Sequence, residues 1–142
     1  MATRKKPNEK RYVDYRKSKP VDKCDFCDFD MQNSNVIDEH KYFWIVKNVF
    51  GYDIWDNMEV SEHLMIVPKY HIESISKLEQ SAVDEYGKII AKYDGNGYSY
   101  YARSADNKSK SVPHQHTHLL KFTGKRKRFL IFIKRPYLLW FK

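Results

Sequence analysis

Six histidines occur in this 142-residue chain, and three of them, His114, His116 and His118, stand at every second position. Side chains alternate faces along an extended strand, so the three imidazoles would share one face, neighbours roughly 6.6 Å apart. That row suits separate tasks along one extended substrate. It suits a single tetrahedral metal poorly, since Zn–N bonds are only about 2.0–2.1 Å. Imidazole can act as nucleophile, acid or base near neutral pH. A second group with chemical potential is Cys24-Asp25-Phe26-Cys27. Two cysteines cannot build a disulfide framework, and their spacing points to metal or redox chemistry in a reducing compartment. A redox pair would need a βαβ setting, and the surrounding pattern offers none.

These residues must be positioned by the rest of the chain. Val36-Ile37 and Tyr42–Val46 read as strands, being rich in β-branched and aromatic residues. Asn48 to Asn57 reads as a loop. His63–Pro68 is a continuous apolar run closed by proline, which predicts a central strand buried on both faces. Val83, Tyr86, Ile90 and Tyr93 recur at helical steps within 78–93, and Gly95-Asn96-Gly97 ends that helix. Tyr98–Arg103 and Val112–Phe122 are further strands, Gly124–Arg128 a turn, and Phe129–Ile133 a last strand. The expected class is α+β: an antiparallel sheet of about five strands, one main helix, and an N-terminal segment that is a short helix or disordered.

Length predicts one domain with a real core. The net charge of +8 is uneven. Residues 1–23 carry net +6 and residues 121–142 net +8, leaving −6 between them. Basic ends of this kind attract polyanions, nucleic acid among them, or simply keep the protein soluble. The first residues are polar, so no signal peptide is expected, and no apolar run is long enough to span a bilayer. The expected location is cytoplasmic.

Ser111-x-x-His114-x-His116-x-His118 followed by Leu119-Leu120 resembles the signature of the histidine-triad (HIT) family of nucleotide hydrolases and transferases. His63-Leu64-Met65-Ile66-Val67-Pro68-Lys69-Tyr70-His71 is similar to a second family stretch, in the right order upstream. The resemblance covers residues 24–122, flanked by a basic extension (1–23) and a basic aromatic segment (123–142). It implies a HIT-like fold and cleavage at the α-phosphate of a nucleotide or dinucleotide, adenosine type favoured, through a nucleotidyl-His116 intermediate. It further implies that the His114 carbonyl fixes the His116 ring, that His118 and Ser111 contact phosphate, and that Asn48 holds the ribose. Homodimerisation is implied too. A zinc-bearing branch of the family implies a structural zinc on Cys24, Cys27, His71 and His114.

The chain departs from the family at Gln115 and Thr117, which are usually apolar. It departs again in 103–110, where glycines are replaced and Lys108 and Lys110 appear. Lys110 could neutralise substrate phosphate, or it could be a solvated loop charge. These departures leave room for a non-catalytic nucleotide- or nucleic-acid-binding module, and the basic ends for an aprataxin-like hydrolase of adenylated nucleic-acid ends. A metallohydrolase ranks last, because the triad segment offers no carboxylate.

Overall fold

The computed structural model describes residues 3–20, 23–127, 130–132 and 138–140. The order of elements is α1 (Lys6–Ser18), β1 (Val36–Glu39), β2 (Phe43–Lys47), β3 (Ile54–Trp55), β4 (Met58–Pro68), α2 (Gln80–Gly95), β5 (Ser99–Ala102), β6 (Thr117–Arg126), β7 (Leu130–Phe132) and β8 (Leu138–Trp140). Strands β1-β2-β4-β6-β5 form one antiparallel sheet, to which β3 adds by pairing with β4. Strands β7 and β8 pair separately. Among the described residues the architecture is α+β, with six strands in the main sheet and two α-helices.

The apolar run 63–67 lies in the middle of the sheet, and Leu64–Val67 are buried on both faces. On one face Phe43, Ile45, Leu64, Ile66 and Leu119 pack against Ala82, Ile89 and Tyr93 of α2. On the other, Trp44, Val46, Met65 and Val67 pack against Phe26, Phe29 and Val36. Both layers remove large apolar side chains from water, at about 25 cal/mol per Å². Helix α2 therefore seals one face, and the N-terminal segment covers the other.

The structure resolves one open expectation and changes three in detail. Residues 6–18 form a helix begun by Pro7 in its first turn, where a missing N–H costs nothing. The 48–57 stretch contains a hairpin: Asp56 and Asn57, both at positive φ (48° and 61°), turn β3 into β4. The triad strand starts at Thr117, since residues 111–114 are bent and 115–116 are irregular. Gln115 N–H instead donates to the Ile72 carbonyl at 2.6 Å, outside the sheet ladder. That strand also runs through Gly124, whose φ of +80° makes a bulge against β4 where a turn was expected. Of the expected last strand, Leu130–Phe132 is strand; Phe129 and Ile133 lie outside the described residues.

Candidate active site

The register Met65↔His118 fixes which face of β6 carries the last triad histidine. Alternation then sends Thr117 and Leu119 toward α2 and His118 toward the N-terminal segment. His116 sits just before the strand, with its ring centroid 5.0 Å from that of His118. His114, His116, His118 and the additional His63 are buried at 0%, 6%, 4% and 6% exposure. A cleft of about 640 Å³ opens over His116 and His118, walled by Phe26, Phe29, Asn48, Ser111 and residues of α1.

The hydrogen bonds assign the protons. His116 Nδ1 lies 2.8 Å from the His114 carbonyl, which only accepts, so Nδ1 carries the proton and Nε2 keeps a lone pair. His63 Nδ1 accepts from Tyr52 N–H at 3.0 Å. Its Nε2–H therefore donates to His118 Nδ1, 2.9 Å away. His118 must then carry its proton on Nε2, a buried atom with no hydrogen-bond partner among the described residues. His116 thus keeps a lone pair and His118 a buried N–H with no partner among the described residues, and both residues line the cleft. Burial holds both imidazoles below the usual histidine range; nearby Arg103 acts in the same direction, and the His114 carbonyl opposes it at His116. Burial likewise lowers His63 to about 3. All three rings are neutral at pH 7.

His114 turns to a different task. Its Nε2–H donates to the Pro68 carbonyl at 3.0 Å, which leaves Nδ1 unprotonated. That nitrogen lies 3.4 Å from Cys24 Sγ and 3.6 Å from Cys27 Sγ, and His71 Nδ1 lies 3.3 Å from Cys27 Sγ. The four donor atoms all fall within 4.8 Å of one another. A tetrahedral ion with bonds of about 2.3 Å to sulfur and 2.0–2.1 Å to nitrogen requires S···N edges of roughly 3.6 Å. The cluster fits a metal ion of that size. Burial, with the adjacent Cys24, pushes the Cys27 thiol up to about 11, and burial holds His114 down to about 4. A paired thiolate site therefore needs a cation, and the imidazole stays a free ligand. Phe26, inside the Cys-x-x-Cys loop, meets the rings of both His114 and His116 edge-on, at 5.9 and 5.2 Å. The loop that would hold the metal also packs against His116.

Other expected site residues are placed as follows. Ser111 lines the cleft, as does Tyr12 of α1. Asn48 lines it too; its Oδ1 accepts Phe50 N–H at 2.9 Å, and its Nδ2, a donor, only abuts the His63 Nε2–H at 3.2 Å without a hydrogen bond between them. Lys110 is directed elsewhere, donating to the Glu73 carbonyl at 2.6 Å and to Gln115 Oε1 at 3.0 Å. That contact accounts for a glutamine at a buried position between two histidines. Thr117 is satisfied by Tyr86, oxygen to oxygen 2.8 Å.

Sequence reasoning gave no role to His63 or to α1. Shared parity with Met65 was a signal for His63, readable only once the β4–β6 register is known. Helix α1 has no buried residue and no apolar stripe, so periodicity could not dock it. It is held instead by Arg4, whose guanidinium sits 4.2 Å from the Tyr12 ring and 4.4 Å from the Tyr52 ring and donates to the Phe50 carbonyl at 2.7 Å.

No family model matches this sequence, and no curated protein does. Solved structures do match in fold. A HIT family hydrolase from Legionella pneumophila is 21% identical, with a TM-score of 0.52 over 73% of this chain and 95% of its own. One from Clostridium thermocellum is 20% identical, with a TM-score of 0.52 over 72% and 92%. A Plasmodium falciparum diadenosine triphosphate hydrolase is 14% identical, with a TM-score of 0.52 over 86% of each chain. The fold is that of the HIT family.

Proposed function

We propose that the protein is a HIT-type hydrolase or transferase that cleaves a phosphoramidate or phosphoanhydride bond at the α-phosphate of an adenosine nucleotide or dinucleotide. The observation that carries this reading is the proton assignment: a free Nε2 lone pair on His116 beside a buried His118 Nε2–H that has no partner among the described residues, both residues lining one cleft. In the first step His116 Nε2 attacks the α-phosphorus. The bond to the leaving nitrogen or oxygen breaks, its electron pair departs with that atom, and a proton from solvent neutralises it. In the second step water attacks the same phosphorus and gives its proton to solvent. The N–P bond breaks, its pair returns to Nε2, and the mononucleotide leaves.

The roles of the other residues follow from their chemistry. Positive charge forming on the His116 ring is stabilised through Nδ1–H by the His114 carbonyl, and His118 Nε2–H donates to a phosphate oxygen. Ser111 stands at the same wall for the phosphate or leaving group, and Asn48 can hold ribose hydroxyls. The Plasmodium falciparum neighbour is a hydrolase of diadenosine triphosphate, a reaction of this kind. The Cys24, Cys27, His71 and His114 cluster would hold a structural zinc, a closed tetrahedral centre that pins the Cys-x-x-Cys loop to the sheet. Reduced thiols of this sort belong to a cytoplasmic protein. Edge strand β5 presents exposed Tyr100 and Tyr101 for pairing with a second copy; the molecular mass in solution tests that.

The experiment is AMP release from adenosine phosphoramidate and from diadenosine tetraphosphate, with wild type and His116→Ala side by side. Release that vanishes in the variant is expected. A folded wild type that releases AMP from neither substrate overturns the catalytic reading.

A further inference from the structure

Among the described residues, five cations and a single carboxylate line the cleft over His116. Two of the cations are already engaged. Lys19 pairs with that carboxylate, Asp25, at 2.6 Å, and Arg4 is occupied by Glu9, the Phe50 carbonyl and two tyrosine rings. Arg16, Lys47 and Arg103 have no carboxylate partner among the described residues. Arg16 lies on α1, with its Nη1 3.4 Å from the Tyr12 hydroxyl, and both side chains line the cleft together with Ser111. Arg103 follows β5 and is oriented from both sides: Nε donates to Ser109 Oγ at 3.1 Å, and the guanidinium stands over Tyr101 at 5.4 Å. Each arginine is thus aimed by a neutral partner and keeps its charge available.

A single α-phosphate carries one negative charge and already meets the His118 N–H. It leaves a cleft of this charge unbalanced. Arginine's planar fork of donors matches phosphate oxygens in pairs. We infer that Arg16 and Arg103 form a leaving-group subsite for a chain of phosphates, supplied from two walls by α1 and the segment after β5, so that the preferred substrate departs as a polyphosphate. This rests on the His116 reading above. The P–O bond breaks with its electron pair on the leaving phosphate oxygen, and the two guanidiniums stabilise the charge that accumulates there. The remote phosphates supply binding energy that a small leaving group such as ammonia cannot offer.

The test is the ratio of kcat/KM for diadenosine tetraphosphate to that for adenosine phosphoramidate, in wild type, Arg16→Gln and Arg103→Gln. Alongside it, binding of inorganic tripolyphosphate is titrated calorimetrically, with Lys88→Gln on α2 as a charge control. The subsite requires the ratio to fall at least tenfold in each arginine variant, tripolyphosphate binding to weaken by a similar factor, and the control to move neither. A ratio within twofold of wild type, or tripolyphosphate that does not bind the wild type, overturns it, even if AMP release still depends on His116. Tripolyphosphate binding that both arginine variants lose, in a protein that cleaves neither substrate, supports the subsite and removes the His116 chemistry instead.

Discussion

His63 Nε2 stands 2.9 Å from His118 Nδ1, joining the start of the buried run of β4 to the last histidine of the triad. Since Tyr52 N–H occupies the far nitrogen of His63, a single proton direction satisfies the pair. The contact is a property of the β4–β6 register, and it makes His63 a buried, neutral group that acid must charge.

The acid response follows with a definite sign. Burial lowers His63 to about 3 in the folded chain, against 6.5 as an ordinary histidine. Below pH 6.5 the unfolded chain takes up a proton that the folded one refuses, so this contribution is full above pH 6.5 and is lost as pH falls toward 3. The slope is about 1.4 kcal/mol per pH unit for one such group. Urea unfolding at pH 7 and pH 5 should show wild type losing about 2 kcal/mol more than His63→Gln over that interval. Equal losses in the two proteins would mean that His63 takes up its proton without unfolding.

The thiol–imidazole cluster predicts a metal dependence. The protein as purified should contain about one zinc per chain, and Cys24→Ser should lose it, because a closed four-ligand site has no spare donor. Zinc held at 100 times its Kd stabilises the folded chain by about 2.7 kcal/mol. Chelation should therefore lower the unfolding midpoint of wild type and leave Cys24→Ser unmoved. A midpoint insensitive to chelator, with zinc demonstrably removed, would leave the cluster no structural role.

What the sequence disclosed, and what it withheld, divides along a physical line. The triad, the apolar run ending in Pro68 and the Cys-x-x-Cys pair are local patterns, and each was readable because strand parity and ligand spacing are local rules. The convergence of Cys24 and Cys27 on His71 and His114 came from resemblance, since no local rule joins residues 90 apart. Helix α1 was not legible as a cleft wall: it docks through Arg4 between two tyrosine rings and through Tyr12 and Tyr15 on Phe50, contacts that leave no apolar periodicity. The bent backbone before Thr117 was hidden too, because three histidines at alternate positions look like strand whether or not the ladder continues.

The polar pair beneath the triad gives a stability prediction. Thr117 is 2% exposed, and its hydroxyl has the Tyr86 hydroxyl as partner. Tyr86→Phe keeps the ring and strands the threonine hydroxyl in the core, at a cost of about 1–3 kcal/mol. Adding Thr117→Val removes the stranded group, so the double variant should recover most of that loss. Urea midpoints of the four proteins form a double-mutant cycle. Additive losses would show that the two hydroxyls do not depend on each other.

Proton placement at His118 predicts how two substitutions rank. His118→Ala deletes the buried N–H that has no partner among the described residues, and AMP release should fall by about 10²–10³, as when a preorganised oxyanion donor is lost. His63→Leu keeps that imidazole but removes the hydrogen bond that holds its proton on Nε2, so the ring can take the other tautomer. The loss should be smaller than for His118→Ala and should appear mainly in kcat, because the proposed mechanism uses Nε2–H as charge develops on the phosphate. If His63→Leu instead raises KM alone, His63 shapes the cleft and the tautomer argument fails.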